Sequence, residues 1–217
     1  MQEINQPVMK YVKLPGANFP DELPLNPPSA RRIQLFSSAN AFLATYDRMI
    51  HPVRGDGNCL FRALSYLILG TEDSHQQIRS TLIDYTTCNP EAFANFCSPL
   101  YTLEEHTARM RYETVWGTDL EIRVAATYFQ LPIYVCTQRS GTLTYYWECF
   151  QPVLSSNLQS LAHPYFETPF SVNTLDHLEL CHSDRCHYDT VVMSDGLRPV
   201  SPPDLENTVT HMDLTES

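Results

Sequence analysis

A chain of 217 residues with 43% hydrophobic and 11% aromatic residues can bury one sizeable core, and its length fits one domain with short appendages. A formal net charge of -11, with no Lys/Arg run or stripe to offset it, excludes an electrostatic phosphate-binding surface, so no nucleic-acid partner is expected. No apolar run reaches the length of a membrane-spanning helix, and MQEINQPVMKYVKLPG lacks the apolar core of a signal peptide, so no membrane partner is expected either.

Residues 1–35 hold prolines at 7, 15, 20, 24, 27 and 28 and read as an extended or disordered lead-in. A short helix is expected over Ser38 to His51, with Phe42, Tyr46 and Ile50 on one face. From Cys59 the period becomes helical: Leu60, Ala63, Leu64, Leu67 and Ile68 form one stripe, and Gly70 is the stop. Ser74-x-x-Gln77, Thr102-x-x-Glu105 and Thr118-x-x-Glu121 have capping-box spacing, and Asn89-Pro90-Glu91 is a further helix start. The last box opens DLEIRVAATYFQ, with Ile122, Ala125, Ala126 and Phe129 facing inward.

After Pro132 the pattern changes to strands: Ile133 to Cys136, Thr142 to Phe150, Leu175 to Leu180 and Tyr188 to Met193. Ser140-Gly141 is the turn of a hairpin between the first two. Residues 195–217 are polar and Pro-rich and read as a disordered tail, which leaves 36–194 as the folded domain. Helices first and strands last predict an α+β fold.

The seven cysteines, at 59, 88, 97, 136, 149, 181 and 186, are odd in number and irregularly spaced. That pattern fits free thiols in a reducing intracellular compartment, the cytoplasm being the simplest, and not a disulfide framework. Cys181-His182-x3-Cys186-His187 is too tightly spaced for a zinc site, and neither a metal nor another cofactor is expected.

One cysteine stands apart. In GDGNCLFRAL, residues 55–64, a turn-prone loop runs straight into Cys59 and then into a helix. Free N–H groups and the positive end of the helix dipole meet at that seam, and both favour a thiolate. Loop N–H groups of Gly57, Asn58 and Cys59 are candidates for holding an oxyanion, and Gly57 lets the backbone approach a carbonyl. Taken alone, a cysteine on an apolar stripe is core; a base elsewhere changes that balance. CHYDTVV, residues 186–192, supplies one. His187 and Asp189 are two apart at the start of a strand and so project together, and a carboxylate beside an imidazole orients it and stabilises its cation. Trp116-Gly117 reads as a core anchor and a turn, and Tyr188, between His187 and Asp189, as a packing residue.

DGNCLFRAL (56–64) resembles the catalytic-cysteine motif of ovarian-tumour-domain (OTU) cysteine proteases, a family composed mostly of deubiquitinases. HQQIRSTLIDY (75–85), WGTDLEIRVAATYFQLPIYV (116–135) and HYDTVV (187–192) resemble later segments of that family, in order. The resemblance implies a papain-like α+β fold with a central, mostly antiparallel sheet flanked by helices. It implies hydrolysis of the isopeptide bond at the C-terminus of ubiquitin or polyubiquitin, with Cys59 as nucleophile and His187 as base; a monomer is expected. Asp56 matches the aspartate of the cysteine motif, while Asp189 stands where some members place the residue that orients the histidine. The residues themselves favour Asp189 as the orienter and Asp56 as a shaper of the oxyanion loop. Two other readings stay open: a catalytically inactive ubiquitin-binding module, and an isopeptidase for another ubiquitin-like modifier.

Overall fold

The computed structural model describes residues 30–140, 142–154, 157–159, 176–183, 186–197, 199, 203 and 208–211. The lead-in expected over 1–35 lies outside these as far as 29, and so does most of the tail expected over 195–217. Two elements fall inside those stretches. Helix α1 (Ala30–Ala44) begins before residue 36, and strand β6 (Thr208–His211) lies within 195–217.

Helix α1 corrects the helix expected over Ser38 to His51. Leu35, Ala39 and Leu43, spaced four apart, form its buried stripe. The chain reverses after Ala44, with Asp47 in the left-handed region at φ 59, and Arg48–His51 forms strand β1. Local periodicity loses here to tertiary pairing. β1 lies antiparallel to β5 (His187–Met193), and Arg48 Nε donates to both carboxylate oxygens of the buried Glu179 at 3.0 and 2.7 Å.

The remaining helices are α2 (Cys59–Leu69), α3 (His75–Cys88), α4 (Pro90–Phe93), α5 (Leu103–Met110) and α6 (Asp119–Phe129). Two of the three expected capping boxes form. Thr102 and Thr118 have extended backbones, so each side chain reaches the first turn while Glu105 or Glu121 reaches back. Ser74 precedes α3 at φ -88, ψ 14, and its hydroxyl makes no cap bond. That backbone turns the side chain away from the N–H groups that the box requires.

Strands β2 (Ile133–Gln138), β3 (Tyr145–Phe150) and β4 (Leu178–Ser183) complete a six-stranded sheet in the order β1-β5-β4-β2-β3-β6. β1/β5, β5/β4 and β2/β3 are antiparallel, whereas β2/β4 and β3/β6 are parallel, so the sheet is mixed with antiparallel pairings in the majority. β2 and β3 pair as the expected hairpin, with Arg139 N donating to Thr144 O at 2.8 Å; of its expected turn at Ser140-Gly141, residue 141 lies outside the described residues.

Alternation along the strands splits the core in two. Ile133, Val135, Leu178 and Leu180 face α2, α3 and α6 and pack with Phe61, Leu64, Ile78 and Leu82. Tyr134, Cys136, Trp147 and Cys181 face the other way, onto Ala39 and Leu43 of α1. Every residue of α2 from Cys59 to Ile68 is buried, including Arg62 and Ser65. The helix that begins at Cys59 is therefore clamped on all sides, and its first residue is held where the loop before it meets the start of β5.

Candidate active site

The sheet brings Cys59 to His187 across more than a hundred residues of sequence. Tyr188 N donates to Cys59 Sγ at 3.5 Å, and the carbonyl oxygen of Cys186 stands 3.9 Å from the same sulfur. The His187 ring stands near enough to the Cys59 thiol for the sulfur to favour the charged imidazole. Its Nε2 lies 2.9 Å from Asp189 Oδ1. An ionised carboxylate only accepts, so Nε2 carries the proton and Nδ1 is the nitrogen left for sulfur. Asp189 is 4% exposed, and its Oδ1 also accepts from Val53 N at 3.0 Å, which holds the carboxylate in place.

Burial pushes the His187 pKa down. The hydrogen bond to Asp189, with the neighbouring Asp189 carboxylate and Cys59 sulfur, pushes it up and prevails, to about 10. The imidazolium is thus the favoured form at neutral pH. Tyr188 is buried in the helix-side core, as its place between His187 and Asp189 requires.

Asp56 does not reach this histidine. Its Oδ1 accepts from Asn58 N at 3.0 Å, and its two oxygens accept from Arg62 Nε, both at 3.1 Å, and from Nη2 at 2.6 Å. Partial burial raises its pKa, but the Arg62 guanidinium and the Asn58 N–H outweigh that and hold the carboxyl well below its ordinary range. Of the three N–H groups expected to face an oxyanion, Asn58's is therefore occupied. Those of Gly57 and Cys59 have no hydrogen-bond partner among the described residues. Gly57 sits at φ 85, and a Cβ there would lie 2.7 Å from Thr114 O, so both backbone angle and space exclude a side chain.

Beside Cys186 and Tyr188 opens a groove of about 530 Å³. Tyr101, His106, Trp116 and Gly117 form the far wall, His182 the near one. Gly117 packs so close to Leu60 that a Cβ would come within 2.4 Å of Leu60 Cδ2, which seats the wall directly on the helix that carries Cys59. Trp116, expected as a core anchor, is 58% exposed and faces this groove. A lone Trp before a glycine carries no sign of which way it points. Sequence reasoning also missed Arg79, buried behind the loop. Its signal was a charge three residues before Leu82 and four before Ile83, on the inward face of α3.

Among the described residues no group of three or more His, Cys, Asp or Glu side chains gathers as a metal site. All seven cysteines are free, and no described helix is long and apolar enough to cross a membrane.

Comparison with known proteins bears on the fold and the family. Human OTU domain-containing protein 5 is 29% identical over 94 residues, which is 43% of this chain and 16% of that protein. The OVARIAN TUMOR DOMAIN-containing deubiquitinating enzyme 7 of Arabidopsis thaliana is 28% identical over 102 residues, 47% of this chain and 27% of that one. The chain thus spans well under a third of the length of these curated relatives. Among solved structures, the OTU domain of OTUD1 superposes with a TM-score of 0.58 at 17% identity, covering 74% of this chain and 99% of that domain. The viral OTU domain protease of Taggert virus gives 0.52 at 16%, covering 77% and 88%. These likenesses establish the OTU-type α+β fold. The OTU-like cysteine protease model matches residues 54–173, a span that contains Cys59 and stops before His187. That span is more than half of the 217 residues, and the chain belongs to the OTU-like cysteine protease family.

Proposed function

We propose that the protein is a thiol-dependent deubiquitinase that hydrolyses the isopeptide bond at the C-terminus of ubiquitin. The observation that carries this reading is the set Cys59, His187 and Asp189: an imidazole bonded to a buried, backbone-held carboxylate and placed close to a thiol whose sulfur meets the backbone on either side of that histidine. Few structural roles call for all three together, and the relatives of the same family include named deubiquitinating enzymes.

Cys59 and His187 share a proton as a thiolate–imidazolium pair. The substrate's extended tail lies in the groove under Trp116 and reaches the sulfur beside Cys186 and Tyr188. Sulfur attacks the scissile carbonyl, and the N–H groups of Gly57 and Cys59, at the N-terminus of α2, receive the oxyanion. His187 then protonates the leaving lysine amine. Next it takes a proton from the water that attacks the thioester, and the carboxylate leaves with Cys59 regenerated. Asp189 fixes the imidazole and its charge throughout, without taking up the proton. Asp56 acts one step back, by holding the loop. The free thiols support a reducing intracellular compartment for the enzyme.

Ubiquitin carrying a C-terminal electrophile tests this directly. The expected result is a covalent adduct with the wild type, absent in Cys59→Ala. A folded wild type that binds ubiquitin without forming an adduct would make the chain a binding module. An adduct formed only with another ubiquitin-like modifier would change the substrate and keep the chemistry.

A further inference from the structure

Arg79 lies in α3, away from the reacting atoms, and is 3% exposed. Among the described residues no carboxylate stands within salt-bridge reach of it. A buried cation without a counterion costs folding free energy, and burial accordingly pushes the guanidinium's pKa down. Its Nε has no hydrogen-bond partner among the described residues. Stability alone is a poor reason for an arginine at this place.

Its other contacts show what it joins. Nη2 donates to the side-chain Oδ1 of Asn58 at 2.9 Å and to the carbonyl of Val115 at 2.9 Å. Nη1 donates to the carbonyl of Met110, where α5 ends, at 3.1 Å. The guanidinium lies over the ring of Phe61, 3.9 Å from its centroid. Asn58 Oδ1 also accepts from Thr114 N at 3.1 Å. Asn58 and Phe61 flank Cys59 in sequence, whereas Met110, Thr114 and Val115 lead into Trp116 and the groove wall. One planar group thus spans the nucleophile's loop, the nucleophile's helix and the segment that lines the groove. Fixed donor geometry is what a guanidinium offers over an ammonium for such a junction.

We infer that Arg79 is a positioning residue for the reaction, fastening the Asp56–Cys59 loop to the 110–117 wall through Asn58, so that a substrate tail lying in the groove is held in register with the Cys59 sulfur and the Gly57 and Cys59 N–H groups. The inference rests on the deubiquitinase reading. It separates two properties that a merely structural residue would move together. Intrinsic thiol reactivity belongs chiefly to Cys59, His187 and Asp189, to which Arg79 makes no hydrogen bond and of which it acts on Cys59 through its charge alone. Registration of a bound tail belongs to the junction, and a misplacement on the order of 1 Å there costs roughly 100-fold.

The experiment compares two labelling rates at Cys59, by the ubiquitin C-terminal electrophile and by iodoacetamide. The variants are Arg79→Met, Asn58→Ala and the double variant, each with its melting temperature recorded. In each single variant, ubiquitin-electrophile labelling slows by roughly 10- to 100-fold. Iodoacetamide labelling stays within about threefold of the wild type. The double variant is no slower than the slower single one, because both substitutions cut the same junction. Unchanged ubiquitin labelling, parallel loss of both reactions, or independent additive losses would each overturn the inference. If Arg79→Met does not fold, Asn58→Ala decides, since it leaves the arginine's bonds to Met110 and Val115 in place. Failure of the deubiquitinase reading shows earlier and separately, as a wild type that iodoacetamide labels and the ubiquitin electrophile does not.

Discussion

The loop before α2 and the first residues of β5 each place an aspartate within three residues of a proposed reacting group, and the two carboxylates have different partners. Asp189 is two residues beyond His187 on a strand, where alternation puts both side chains on one face. Its oxygen meets Nε2 at 2.9 Å with no freedom to turn elsewhere, because Val53 N holds it. Asp56 is three residues before Cys59 in a loop, where nothing aligns the two side chains. Its carboxylate turns back onto Asn58 N and Arg62 instead. Nearness in sequence to a nucleophile therefore says little about contact with the site. Nearness with a known backbone period says a great deal.

Removing each aspartate draws the comparison most sharply. Asp189→Asn keeps the shape but offers the wrong partner to Nε2–H in half of its amide orientations and no charge in either. Turnover is expected to fall by roughly 1,000- to 10,000-fold, as for the carboxylate of other such triads. Asp56→Asn leaves Cys59, His187 and Asp189 in place, and turnover is expected to fall by less than about tenfold. Steady-state cleavage of a ubiquitin-fused reporter by both variants checks the order. A larger loss in Asp56→Asn than in Asp189→Asn would reverse the roles assigned here.

The pH dependence separates the two groups by sign. The His187 pKa is raised from 6.5 to about 10. Its contribution to stability is fully present below 6.5 and is lost as pH rises through about 10. The protonated histidine that would donate to the leaving amine in the proposed mechanism is lost over the same alkaline range. In Asp189→Asn the largest upward influence is gone, so the alkaline limb of electrophile labelling moves to lower pH. In Asp56→Asn it stays in place. An Asp189→Asn limb still at the wild-type position would show that Asp189 does not set the charge of His187.

Much of this site was legible because its parts are local. The seam of loop and helix located Cys59, the two-residue repeat paired His187 with Asp189, and alternation sent Tyr188 to the core. What was not legible depends on contacts between distant segments. Asn58 N was expected to face an oxyanion, but Asp56 takes it, and turn-prone letters do not say which side chain folds back. Trp116 was expected inside, but Gly117 against Leu60 sets the wall so that the indole lies outward. In the fold, α6 and its cap followed from Thr118 and Glu121 alone. β1 could not follow from RMIH, whose strand character comes from pairing with β5 across 140 residues of chain.

Asp56 has the larger effect on the folded state in acid. Its carboxyl titrates below the ordinary 3.8, so its contribution is present above that value and is lost as pH falls toward the depressed one. Asp56→Asn should therefore cost stability at neutral pH and flatten the loss in acid. The expected cost is about 1–2 kcal/mol, below that of a fully buried pair, because the Asp56 side chain is 32% exposed and water screens part of the interaction. Urea titrations at pH 7 and pH 3 check both the size and the flattening.

The smallest expected effect tests whether Asp56 needs a fork or merely a charge. Arg62 is buried, and its Nε and Nη2 meet both carboxylate oxygens at once, while Nη1 donates to the Glu72 carbonyl at 3.4 Å. Arg62→Lys keeps the charge and gives up the planar pair of donors. The expected loss is about 1 kcal/mol in stability. Iodoacetamide labelling of Cys59 should not change, because His187 and Asp189 are untouched. A labelling rate that falls with Arg62→Lys as far as with Asp189→Asn would mean that the loop brace and the histidine's carboxylate act as one unit, and the difference between the two aspartates would lie only in their distance from the sulfur.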